Sequence, residues 1–222
     1  MKKYLLSSLL VLGLALYSTV AAWAENVVYG LMPSNTYGAR TTSFDIDALG
    51  SDALKLTPDF AFENAEEFNC GTSVGDKYYA FVVNRGVDAP AFVTLNFTTG
   101  KMVVVNDKSF TYGKPGFGAN GMAYDETNGK LYVIEGVYDE SLDATATKLY
   151  SVDTTNGTLT EVATLNDSYE AIASDHKGGF YLVKVVSEGR KNYPVLYKVS
   201  ADFKVSEAVA NTTVTCSYTT YN

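Results

Sequence analysis

Arg40, Arg85 and Arg190 are the only arginines in the chain, and each stands in a short polar stretch between apolar runs. A guanidinium presents a planar five-donor fork to carboxylate or phosphate. Three of them on one face would suit an anionic glycan, peptide or small ligand. Tyr138 and Tyr193 stand in matching stretches, where a phenol ring can stack on a sugar or on a partner's side chain. These five residues are the expected ligand-binding set.

Catalytic patterns are sparse. The single histidine, His176, follows Asp175 and reads as a turn residue, and no G-x-S-x-G elbow accompanies it. Asp139, Glu140 and Asp143 offer oxygen ligands close together, but the spacing of a twelve-residue calcium loop is missing. Asp125, Glu126 and Asp153 read as turn formers. No pair among the 25 acidic residues stands out for glycoside hydrolysis. Cys70 and Cys216 have no His or second Cys nearby in sequence, which supports neither a metal site nor a catalytic thiol; whether they bond to each other stays open. With no P-loop or dinucleotide fingerprint, the expectation is no catalytic residue, no metal and no cofactor.

The elements that carry these residues recur at a fixed period. GMAYDETNGKLYVIEG and LYSVDTTNGTLTEVATL read as four short strands with turns at Asn128-Gly129 and Asn156-Gly157. AIASDHKGGFYLVKV with VLYKVSADFKVSEAVA repeats them, as do GTSVGDKYYAFVV with AFVTLNFTTGKMVVV; VVYGLM with TSFDIDALG opens a first, shorter copy. One tyrosine marks the second strand of each copy, at positions 29, 79, 132 and 181. In the third strand Phe44, Val93, Tyr150 and Tyr197 are each followed two residues on by an aliphatic side chain. A period of two places both on one face of a strand. Units of this kind, near 26–66, 67–110, 117–165 and 169–210, must stack on one another to bury their apolar faces. Only Asp47–Lys55 and Phe60–Glu67 have helix-forming composition, and both are short.

The pattern A-Y-D-x-x-x-G-K-L-Y-V followed by L-Y-S-V-D-x-x-x-G-x-L-T-x-V resembles the blade of YVTN, Kelch-like and PQQ-like bacterial β-propellers, and among these the secreted propeller proteins of Bacteroidetes. The resemblance spans 26–210 and is sharpest over 117–210. It implies an all-β propeller of four-stranded antiparallel blades, about four of them. The ring is either closed by an extra strand over 212–219 or a fragment of a larger one. The loops between second and third strands, at 34–41, 84–90, 136–147 and 187–194, then share one face with the arginines and tyrosines above. The expected activity is that of a non-catalytic binding or scaffold module with a glycan, peptide or protein partner. The alternative is a metal-dependent propeller hydrolase or lactonase.

The chain opens with Lys2 and Lys3, an apolar run from Leu5 to Val20, and Ala22-Trp23-Ala24. These are the three zones of an export signal over 1–24, with cleavage before Glu25 and a secreted or periplasmic destination. No later stretch is apolar for long enough to span a membrane. Removing Lys2 and Lys3 deepens a net charge that is already −8, so nucleic acid is repelled rather than bound.

Overall fold

The computed structural model describes residues 27–32, 40–45, 47, 57–61, 65–84, 91–97, 99–108, 119–141, 143–188 and 191–209. Every element in them except a single 3-10 residue at Asp47 is a strand, and Phe60–Ala61 and Ala65–Glu67 are strand rather than helix. Strands β1 (Val27–Met32), β2 (Arg40–Asp45) and β3 (Thr57–Ala61) form a three-stranded sheet. Three four-stranded antiparallel sheets follow. The second contains β4 (Ala65–Val74), β5 (Lys77–Asn84), β6 (Ala91–Asn96) and β7 (Lys101–Asn106). The third contains β8 (Ala119–Asp125), β9 (Lys130–Asp139), β10 (Ala144–Val152) and β11 (Leu159–Asn166), and the fourth β12 (Ala171–Ser174), β13 (Phe180–Glu188), β14 (Lys191–Val199) and β15 (Val205–Ala208). Each four-stranded sheet is a meander in chain order, the arrangement of a propeller blade. Among the described residues the sheets do not close into a ring, and 212–219 lie outside them.

Alternation along the strands explains the stacking. Tyr132, Ile134 and Leu149 on one face of the third sheet meet Phe180, Leu182 and Val199 of the fourth, all at most 3% exposed. The intervening residues Leu131 and Val133 turn the other way, into a core with Tyr79, Phe81 and Phe92 of the second sheet. Burying such side chains contributes about 1.5–3 kcal/mol each. The Tyr132 and Phe180 rings meet edge to face at 5.0 Å, a favoured geometry for ring quadrupoles.

The first strands β4, β8 and β12 lie side by side, with β8 in the middle. Gly121 makes the closest approach possible: a Cβ there would stand 2.9 Å from the Ile172 nitrogen and 3.2 Å from Ala171 Cα. Cys70 in β4 is a free thiol. Burial pushes its pKa up to about 12, which leaves it protonated and unreactive. Cys216 lies outside the described residues.

Two of the turns are built alike. Asp125 Oδ1 accepts the Thr127 N–H at 2.9 Å while the Gly129 N–H donates to the Asp125 carbonyl at 2.9 Å. Asp153 Oδ1 accepts the Thr155 N–H at 2.8 Å, and the Gly157 N–H donates to the Asp153 carbonyl at 2.7 Å. Gly129 and Gly157 take φ of 67° and 70°, where a side chain would be strained.

Candidate functional site: an axial cleft between three strands

Where β4, β8 and β12 run together they leave a cleft of about 250 Å³ at the end that carries the turns between first and second strands. Its walls are Thr72 and Ser73 from β4, Met122 to Tyr124 from β8, and Ile172 to Ser174 from β12. Glu126 and His176 reach it from the turns after β8 and β12. They hold the same place in successive repeats, one residue after Asp125 and Asp175. His176 Nδ1 faces Glu126 Oε2 at 3.4 Å, with both side chains about two-thirds exposed. The lining thus combines hydroxyls, one carboxylate and one imidazole over an apolar floor.

Local bonds set the His176 backbone. Its φ is 57°, its N–H donates to Ser174 Oγ at 3.0 Å, and Asp175 Oδ1 accepts the N–H groups of Lys177 and Gly179, each at 2.8 Å. Burial acts to raise the Asp175 pKa. The two N–H bonds and the Lys198 ammonium 3.6 Å away outweigh it and hold the carboxyl below its ordinary 3.8. Asp125 is fully buried, and its Oδ2 has no hydrogen-bond partner among the described residues. Neither aspartate lines the cleft, so Glu126 is its one carboxylate among them.

The β-ladder slips by one residue at Asn69 in β4 and at Asn120 in β8, matching places in the repeat. Such bulges bend a strand and re-aim its side chains. Asn120 Nδ2 donates to the Tyr169 carbonyl at 3.4 Å, which ties β8 to the approach to β12.

A second polar group lies in the third sheet, away from the cleft. Tyr150 donates to Glu135 Oε2 at 2.9 Å, and Lys148 pairs with Glu161 at 2.8 Å. Burial raises the Glu135 carboxyl, partly offset by the Tyr150 hydroxyl and by Lys148. Among the described residues, no three His, Cys, Asp or Glu side chains gather as a metal site, and no helix is long and apolar enough to cross a membrane.

No family model matches this chain, and no curated protein does. Its backbone does match solved structures. An endo-arabinase from Bacteroides thetaiotaomicron superposes with a TM-score of 0.56 at 11% identity, over 84% of this chain and 77% of that one. A thermostable family-43 glycoside hydrolase gives 0.55 at 11% identity, over 89% and 70%. An alpha-L-arabinofuranosidase from Clostridium thermocellum gives 0.53 at 12% identity, over 82% and 68%. This chain has a β-propeller-like fold. Identities this low establish the architecture alone.

Of the five residues expected from the sequence, Tyr138 and Tyr193 are described with their side chains, and neither lines this cleft. Arg40 is the first residue of β2, and Arg85 and Arg190 lie outside the described residues. Tyr138 and Tyr193 are in strands, not loops: pairing runs out to Asp139 opposite Ala144, and to Glu188 opposite Lys191. The expected loop over 136–147 therefore shrinks to residues 140–143, because Val137, Thr145 and Thr147 extend the ladder. Tyr138 is 43% exposed and donates to Asp143 Oδ1. Glu126 and His176 were missed as a pair. The signal available was their shared place directly after Asp125 and Asp175, the aspartates that follow the first strand in two successive repeats.

Proposed function

We propose that this chain is an exported, non-catalytic binding module that holds one small polar unit, a sugar residue, in the axial cleft. The supporting observation is the lining itself: hydroxyls and Tyr124 around a single carboxylate facing an imidazole, in about 250 Å³. That volume falls below the ~300–1,000 Å³ of sites for drug-sized ligands, so it suits one ring. Glu126 accepts hydrogen bonds from sugar hydroxyls, Ser174 and Thr72 exchange them, and Met122 and Ile172 meet the apolar edge.

The arabinose-directed names of two matching structures favour a glycan as ligand. Hydrolysis of the glycosidic bond, however, calls for two carboxylates flanking it, and the described lining has one. A metal-dependent hydrolase would need a ligand cluster that the described residues do not form. Export rests on the charged, apolar and small-residue zones of 1–24, and the closer kinship with YVTN, Kelch-like and PQQ-like blades rests on the repeat pattern.

The test is calorimetric titration of the processed protein with a panel of neutral mono- and oligosaccharides that includes arabinose. A saturable ligand is expected whose affinity falls at least tenfold in Glu126→Ala and in His176→Ala, without release of reducing ends. No saturable binding anywhere in the panel, or turnover of a glycan, overturns this reading. A second reading keeps Arg40, Arg85, Arg190, Tyr138 and Tyr193 as a partner face on the opposite side, favoured by the exposed Tyr138 ring. Triple alanine replacement of the arginines would then abolish retention on anionic glycan resin.

A further inference from the structure

The strand that carries the repeat tyrosine is paired on both sides in the three four-stranded sheets. Strands β5, β9 and β13 each lie between a first and a third strand, with Thr72, Ala123 and Ala173 of the first strands directly opposite Tyr79, Tyr132 and Tyr181. Strand β1 carries Tyr29, at the same place in the repeat, yet among the described residues it pairs only with β2. Its other edge leaves a row of N–H and C=O groups in a stretch, VVYGLM, that has neither charge nor proline to guard it.

The chain after β15 has the pattern of a first strand. Val214, Cys216 and Tyr218 alternate with Thr213, Thr215, Ser217 and Thr219, a period of two rich in β-branched residues. T-C-S-Y-T over 215–219 aligns with G-M-A-Y-D over 121–125 and A-I-A-S-D over 171–175, which sets Ser217 at the place of the small residues Ala123 and Ala173. The reach fits as well. Thr72, Ala123 and Ala173 follow the last residue of the preceding fourth strand, Ala61, Asn106 and Asn166, by 11, 17 and 7 positions, and Ser217 follows Ala208 by 9.

We propose that residues 212–219 of the same chain pair antiparallel with β1, Ser217 opposite Tyr29, and so complete the first sheet. Tyr218 then holds the place of Ser73, Tyr124 and Ser174, which line the cleft from β4, β8 and β12, and adds a further wall to it. That consequence for ligand binding rests on the function proposed above; the pairing itself does not. The register also sets Cys216 opposite Gly30, the place of Ile172 opposite Leu182. In β12 the Asp175 N–H donates to the Gly179 carbonyl at 2.9 Å, so by alternation Ala173 and Tyr181 are a hydrogen-bonded pair and Ile172 and Leu182 are not. Cα atoms of such a non-bonded pair stand about 4.5 Å apart, within the span of a disulfide.

Cross-linking to the native thiol tests this. On oxidation Gly30→Cys should form a disulfide with Cys216 of its own chain, located by peptide mapping, while Leu31→Cys, whose side chain takes the other face, should form at least tenfold less. Ser217→Pro, which removes the N–H that would bond to Tyr29, should lower the urea midpoint, and Tyr221→Pro, beyond the strand, should leave it unchanged. No bond from Gly30→Cys to Cys216, or a bond that joins two chains only, overturns the proposal. So does equal cross-linking of Leu31→Cys, or a Ser217→Pro protein as stable as Tyr221→Pro.

Discussion

Asp175 Oδ2 lies 3.6 Å from the Lys198 ammonium, whereas Asp125, its counterpart one repeat earlier, has no ion-pair partner and an unpaired Oδ2 among the described residues. Lys198 stands opposite Tyr181 in the ladder, and the residue opposite Tyr132 is Ser151. The aspartate at this place in the repeat therefore occurs both with and without a counter-charge among the described residues.

Asp125→Asn keeps an acceptor for the Thr127 N–H while replacing a buried carboxyl oxygen, Oδ2, that has no partner among the described residues. Its thermal midpoint should equal or exceed the wild type's. Asp125→Ala, which strands that N–H, should cost about 1–3 kcal/mol in urea unfolding. Equal losses in the two variants would show that the charge itself holds the turn.

Gly121→Ala should be costly, because the new Cβ meets Ile172 backbone at 2.9 Å and forces β8 and β12 apart. Overpacking of this kind costs about 1–3 kcal/mol. Gly75→Ala, at φ 61° with open space around it, should lose only about 1 kcal/mol through backbone strain. Chemical denaturation of both variants gives the comparison, and a Gly121→Ala protein as stable as wild type would place the sheets further apart than described.

Phe180→Ala empties a site that is 1% exposed between the third and fourth sheets and removes the ring that meets Tyr132. A loss of about 3–5 kcal/mol is expected. Tyr181→Ala, on the outward face of the fourth sheet with the Lys198 ammonium 5.9 Å from its ring centre, should cost much less. Paired urea titrations decide between them; similar losses would mean that the outward face is packed as tightly as the inward one.

Acid should destabilise the fold through carboxyls held below their ordinary values. Asp153 is lowered by the Thr155 hydroxyl and N–H, Asp202 by Lys204 and Ser200, Glu161 by Lys148, and Asp175 as described. A depressed carboxyl binds fewer protons folded than unfolded. Its contribution is full above the ordinary values of 3.8 for Asp and 4.5 for Glu, and is lost as pH falls through the folded values below them. Glu135 has the opposite sign: raised by burial, it costs stability above its folded pKa, and that cost is relieved on acidification down to 4.5. Urea midpoints measured against pH should accordingly fall below pH 4 (roughly, by the carboxylate reference values), with a shallower fall in Asp175→Asn. An unchanged slope in that variant would remove Asp175 from the account.

Much of the blade was legible without coordinates. The Asp125 and Asp153 turns close through bonds within five residues, so their chemistry is local and the D-x-T-N-G pattern suffices to read it. The recurring tyrosines and the period of two likewise mark strand and face, because alternation is a property of one strand. Strand ends were less legible. Tyr138 and Tyr193 lie in ladders whose length is decided by the partner strand, which no run of residues displays on its own.

The cleft belongs wholly to tertiary structure. Glu126 and His176 are separated by fifty positions and meet because Gly121 lets β8 approach β12 until two successive turns stand side by side. Residue order determined the repeat, its turns and the need of each sheet for a neighbour, since these follow from local geometry and from apolar faces that cannot stay wet. Which polar groups share a wall was decided by how closely and at what angle the sheets stack, a matter of packing between distant segments that no single repeat encodes.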